Sequence, residues 1–226
     1  MYGLCTSCNN LQSRYDPAYG ELAAAVRPLW IRDARIRTAG RLPLPDTEIR
    51  PGAVARSVLI GFPGLSPQLR VNFPSLADQL LNTAPAVTVS AKLRLRLALA
   101  CGTMARVTGS MAGFLSVDHP PDEDAVGFAN VGQVYFPPLA WQLAPPEPSA
   151  LLRKASKSLL DRQGWADVTS WAHRPPDERV PLSTLCRTLP AVTHPRHHPA
   201  TAEWWVEMFS TQITEILECD NVPDAT

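Results

Sequence analysis

No apolar run in the chain approaches the roughly 18 residues that a membrane-spanning helix needs, so none is expected. Neither sign of charge is in surplus: 21 Lys and Arg balance 21 Asp and Glu. That balance leaves no global field to draw in nucleic acid or an anionic membrane, and confines any nucleic-acid contact to a local patch. The start, Met1-Tyr2-Gly3-Leu4-Cys5, lacks the charged and apolar regions of a secretory signal. Cysteines number only five. Cys5 and Cys8 form the one close pair, while Cys101, Cys186 and Cys219 are scattered. This usage predicts reduced thiols and a cytoplasmic location rather than a disulfide framework. There is no GxxxxGK[ST], no GxGxxG after a strand and no GxSxG elbow, which removes the nucleotide-cradling loops and the hydrolase nucleophile turn.

What the chain has in excess is proline, 23 of 226 residues, about twice ordinary usage. Proline clusters break helices and favour extended connections, so many short elements joined by stiff loops are expected. The length allows one large domain, or one domain with a small appendage. Asp16-Pro17 predicts a helix with Asp16 as N-cap, running through Tyr19, Leu22, Ala23 and Val26 to a stop at Pro28. Alternation from Trp30 to Arg37 predicts a strand, with 41–49 as its partner across Ala39-Gly40. Helices are predicted over 51–62 and from Ser75 to Leu81. From Lys92 to Leu99, leucines alternate with charged residues, which predicts a strand although the composition also suits a helix. Segments 103–117 and 126–136 predict an antiparallel hairpin around the acidic stretch Asp118–Asp124. Ser149 is the expected cap of a helix to about Gln163. The spacing of Trp204, Trp205, Met208, Phe209, Gln212, Ile213, Ile216 and Leu217 predicts a helical stripe, with Ile213–Cys219 as an alternative closing strand. The fold class is α+β.

The one pointed chemical motif is Cys5-Thr6-Ser7-Cys8, expected to form a turn-like knuckle from Cys5 to Asn10. Two thiolates at this spacing can grip one tetrahedral zinc, although a structural site needs four ligands. A thioredoxin-like pair is the rival, but that motif follows a strand. Gly3-Leu4-Cys5-Thr6-Ser7-Cys8-Asn9-Asn10, followed by Arg14-Tyr15 and a helix, resembles the second half of the zinc-bound HNH endonuclease module. In that family the LCxxCNN element supplies two zinc thiolates and leads into the helix of a ββα-metal finger. A first CxxC and an Asp/His pair that activates water lie upstream. The resemblance implies Cys5 and Cys8 as metal ligands, zinc in a half-site, a divalent metal if the protein is a nuclease, and DNA as partner.

No residue of this sequence matches the general base, so the chain as given is expected not to cut DNA. Either the start lies too far downstream of a full module, or the chain is a degenerate relative kept for another purpose. The first is favoured, because half a zinc site gives neither folding energy nor chemistry. The resemblance divides the chain into residues 1–28, a half knuckle and helix, and residues 29–226, an α+β domain whose role the sequence leaves open.

Two further constellations stand out. His194-Pro195-Arg196-His197-His198 could ligate a metal or hold phosphate, but no acidic or thiol ligand sits at metal spacing, so a basic surface loop is expected. Arg32, Arg35 and Arg37, with Arg14 before them and Arg27, Arg41, Arg50 and Arg56 nearby, could grip a phosphate backbone. The same arginines could equally form a solvated strand face. A different class of function is a non-enzymatic partner-binding or structural domain, possible also as a homo-oligomer, with Trp30, Trp141, Trp204 and Trp205 serving core or interface.

Overall fold

The structure is a computed structural model that describes residues 6–30, 40–65, 67–101, 104–108, 111–115, 126–130, 132–146, 164–192 and 207–212. The chain opens with two helices, α1 (Thr6–Gln12) and α2 (Asp16–Leu29). The expected turn-like knuckle is therefore helical from Thr6 onward. Asparagines favour turns locally, but α1 is held from outside. Leu11 packs against the hydrophobic core. The Gln12 side chain donates to the Ser57 carbonyl at 3.3 Å. The Ser13 hydroxyl donates to the Asn9 and Asn10 carbonyls at 3.0 Å, beside the Ser13 N–H, which donates to the Asn9 carbonyl at 3.0 Å.

In α2 the N-cap position falls on Tyr15 and Asp16 is the first helical residue, with no side-chain cap. The Asp16 carboxylate instead accepts from the Ser57 hydroxyl at 2.8 Å, so tertiary contact has taken the oxygen that capping would use. Pro17 occupies the first turn, where a missing N–H is harmless. Pro28 does not stop the helix at its own position: α2 reaches Leu29, and Trp30 keeps helical dihedrals, φ −62° and ψ −43°. The expected strand therefore does not start at Trp30, and residues 31–37, including Arg32, Arg35 and Arg37, lie outside the described residues.

Two short strands follow, β1 (Arg41–Pro43) and β2 (Glu48–Ile49), then α3 (Pro51–Leu65), α4 (Pro67–Asn72) and α5 (Pro74–Leu81). Every residue from Pro51 to Ser57 is buried, so the first two turns of α3 form a central helix rather than a surface one.

The rest is mainly strands: β3 (Arg94–Ala100), β4 (Met104–Thr108), β5 (Met111–Leu115), β6 (Val126–Asn130), β7 (Gly132–Phe136), β8 (Leu139–Ala144), β9 (Ala166–Asp167), β10 (Val180–Pro181), β11 (Thr188–Val192) and β12 (Glu207–Gln212). A 3-10 helix (Thr169–His173) and a one-turn helix α6 (Leu182–Leu185) punctuate them. The large sheet runs β1-β11-β3-β8-β7-β4-β12, with β9 also paired to β3. Its pairings are antiparallel except β11 with β3.

The expected hairpin is present in two stages, β5 with β6 (Leu115 opposite Val126) and β4 with β7 (Arg106 opposite Tyr135). Segment 41–49 instead pairs with late strands: β1 with β11, and β2 with β10. Residues 207–212 of the expected C-terminal helix are strand β12 on β4. A helical spacing of large residues loses here to ladder pairing, which suits Phe209 and Thr211 and completes the edge of β4. The expected helix from Ser149 lies outside the described residues.

The leucine face of β3 forms the centre of the core. Leu93, Leu95, Leu97 and Leu99 are fully buried and cluster with Leu139, Trp141 and Leu143 of β8, Leu22 and Val26 of α2, and Val54 and Leu59 of α3. Trp141 is the pivot, with Tyr19 at 6.3 Å on one side and Trp171 edge-on at 6.5 Å on the other. The cluster is continuous across residue 28, which lies inside α2. Among the described residues, no helix is long and apolar enough to cross a membrane.

Candidate functional site

Of the residues the sequence singled out, Cys8 and Arg14 are placed. Cys8 is half-buried in the first turn of α1, and Arg14 is exposed in the turn between α1 and α2. Cys5, Arg32, Arg35, Arg37 and the His194–His198 segment lie outside the described residues. Among the described residues, no three His, Cys, Asp or Glu side chains come close enough to hold a metal ion.

Three arginines grouped with the phosphate-gripping set are committed elsewhere. Arg41 donates to the Thr188 hydroxyl at 2.9 Å and to the Thr188 and Gly164 carbonyls. Arg50 pairs with Glu21 at 2.7 Å, a carboxylate that Arg179 also approaches at 3.8 Å. Arg56 is 1% exposed. Its two terminal nitrogens donate to four carbonyls: Gly52 at 2.8 Å, Arg174 at 2.9 Å, Ala84 at 2.9 Å and Pro85 at 2.7 Å. Desolvation by burial holds this guanidinium below the usual arginine range. The fork thus ties α3, the 84–85 loop and the turn at 174 into one unit. Gly52 belongs to the same joint, because a Cβ there would sit 2.4 Å from the Arg174 and Pro175 carbonyl oxygens.

A second polar group lies on the sheet face opposite the leucines. Register sets Arg96 of β3 beside Gln142 of β8, Gln142 beside Gln133 of β7, and Gln133 beside Thr108 of β4, with Asp167 of β9 on the outer side of Arg96. Gln142 and Gln133 are 0% and 1% exposed. Arg96 donates to the Gln142 side-chain oxygen at 2.8 Å and to the Pro145 and Pro146 carbonyls at 3.1 and 2.8 Å. Arg94 lies 3.5 Å from the Asp167 carboxylate.

One register step from that row, Ala98 and Ala140 leave a low floor. Trp165 packs there and meets Tyr135 edge-on, with centroids 6.0 Å apart. Burial pushes the Tyr135 phenol well above the usual tyrosine range, and the nearby Cys101 thiol adds to it. Sequence reasoning passed over this face. Its signal was one glutamine at an alternate position in each of two apolar strands, Gln133 in β7 and Gln142 in β8. No family model, curated protein or solved structure matches the chain.

Proposed function

We propose that the chain is an HNH-related nucleic-acid-binding protein that carries the second half of the family's zinc module. The observation behind this reading is the placement of Cys8 in the first turn of α1, three residues after Cys5. Two thiolates at this spacing in the sequence can grip one metal ion. Exposed Arg14 follows directly and then the long helix α2, in the family's order of knuckle, basic residue and helix. Gln12 and Asp16 both anchor on Ser57, so this segment sits on a firm base. Arg14 offers a guanidinium to phosphate, and Arg32, Arg35 and Arg37 continue the basic run in sequence.

Cys5 and Cys8 would hold zinc as two of its four ligands, and zinc of this kind is structural. Cleavage needs a base to deprotonate water and a metal to stabilise the leaving oxygen, and no residue here matches those roles. The purified chain should therefore carry well under one zinc per molecule by emission spectroscopy. Supercoiled plasmid should stay intact with magnesium or manganese. Near-stoichiometric zinc that survives Cys5→Ser would place the ligands elsewhere.

Binding to a labelled duplex should weaken steeply as salt rises from about 50 to about 200 mM. Arg14→Ala should shallow the log–log salt slope by about 0.9. A chain that binds no duplex at the lower salt would refute the nucleic-acid reading.

A further inference from the structure

The polar face of the sheet holds two buried N–H donors with no acceptor among the described residues: the Gln142 side-chain nitrogen and the Trp165 indole nitrogen. Buried donors are nearly always met, and one that is not calls for a missing acceptor. The orientation of the Gln142 amide follows from its neighbour. A guanidinium can only donate, so the Gln142 oxygen is the end that faces Arg96, and the nitrogen is turned away from it. Trp165 packs against the cluster of Ala98, Ala100, Tyr135, Ala140 and Val192, in which Ala98 and Ala140 lie one same-face step along β3 and β8 from the Arg96–Gln142 pair. At about 3.3 Å rise per residue that step is roughly 7 Å, so both nitrogens belong to one locality. The small side chains of Ala98 and Ala140, both fully buried, form its floor, and the Tyr135 ring forms its wall.

We infer that this locality is a binding site for a small carboxylate, whose oxygens accept from the Gln142 amide and the Trp165 indole beside Arg96. The choice of ligand rests on the sign of the groups. Two unmet donors require acceptors, and a carboxylate offers two oxygens that can each accept one. Alanines and aromatic rings around a few fixed polar groups are the usual lining of a small-molecule site.

The test is thermal unfolding of the full chain in acetate, succinate and benzoate, each against sodium chloride at equal ionic strength. One of the three should raise Tm saturably, by about 5–10 °C at roughly a hundred times its Kd. The same titration should change tryptophan emission. Gln142→Leu should abolish the carboxylate effect; because it also removes the oxygen that Arg96 donates to, the readout is the response to carboxylate and not the Tm without ligand. Trp165→Phe should weaken that effect at least tenfold in apparent Kd and serves if the leucine variant does not fold.

A saturable shift that both variants retain would overturn the inference. So would three carboxylates that act no differently from chloride.

Discussion

At the scale of single residues, the most constrained side chain is one the sequence suggested for a surface role. Arg56 stands among the arginines that read as a phosphate grip, yet it is buried and spans four carbonyls from three segments. Nothing in the local sequence separates a solvated arginine from a buried one, since the carbonyls it meets are up to 118 positions away. Arg56→Met should lower stability by on the order of 3 kcal/mol in urea unfolding, because several buried acceptors lose their donor together. Arg56→Lys should rescue only part of this, since an ammonium is a point and cannot span the fork's reach. Gly52→Ala should cost about 1–3 kcal/mol through the clash with fixed backbone oxygens. Its effect should be non-additive with Arg56→Lys, because both changes act on the Arg174 carbonyl.

Tyrosine burial gives a pH prediction at the same scale. Burial raises the Tyr19 phenol to about 12, and nearby Asp16 adds to the rise against a hydrogen bond with Trp141. Tyr135 shifts the same way. Both groups are held protonated in the folded state, so their contribution is intact below about pH 10, the unfolded value. It is lost as pH rises from there towards the folded values, at about 1.4 kcal/mol per pH unit for each group. Urea midpoints measured from pH 9 to 11.5 should fall accordingly, and Tyr19→Phe should flatten part of that fall. An unchanged profile in Tyr19→Phe would mean that this phenol titrates as in the unfolded chain.

At the scale of elements, legibility followed the range of the deciding contacts. Strand β3 was readable because Leu93, Leu95, Leu97 and Leu99 alternate within eight residues, and their burial is a local pattern made good. The hairpin of β4 to β7 was readable for the same reason, since its partners flank one acidic stretch. Segment 41–49 was misread because its partners, β10 and β11, lie more than a hundred residues away. The buried glutamines could be seen as letters, but their juxtaposition depends on the register of β7 on β8.

Helix α2 shows the same limit in energetic form. Its extent reads to within a residue or two, although Asp16 is not its cap and Pro28 is not its stop, but its place in the core does not read at all. Ala18, Leu22 and Val26, all 0% exposed, stack at fourth positions and join the cluster around Trp141. Burying each large side chain is worth about 1.5–3 kcal/mol. A chain that begins at Ser13 loses α1 and should still unfold cooperatively in urea, at a reduced midpoint. A chain that begins at residue 31 should not fold, because Leu22, Val26 and Trp30 leave together. Cooperative unfolding of that shorter chain would show that the helix only decorates the domain.

At the scale of the whole molecule, the large sheet takes its edges from opposite ends of the described chain. β1, the first strand, lies at one margin and β12, the last, at the other, with β3, β8 and β7 between them. The central three are joined by antiparallel registers, six residue pairs for β3 with β8 and five for β7 with β8, and their inner face carries Trp141 and the leucines. Among the described side chains, the apolar cluster sits on the middle of the sheet, and β12 pairs with β4 at the margin. Removing an edge strand leaves the core covered but presents a row of unpaired backbone groups. A chain that ends at residue 206 should accordingly keep a cooperative urea transition and gain a tendency to self-associate through β4. Size-exclusion chromatography across a concentration series should show dimers or larger species that the full chain lacks at the same concentration. A proline at a β4 position whose N–H faces β12 should suppress that association in the shortened chain, since proline removes a donor a new strand would use. If the shortened chain loses its cooperative transition altogether, β12 is part of the folding core and the sheet cannot be divided into a stable centre and a dispensable margin.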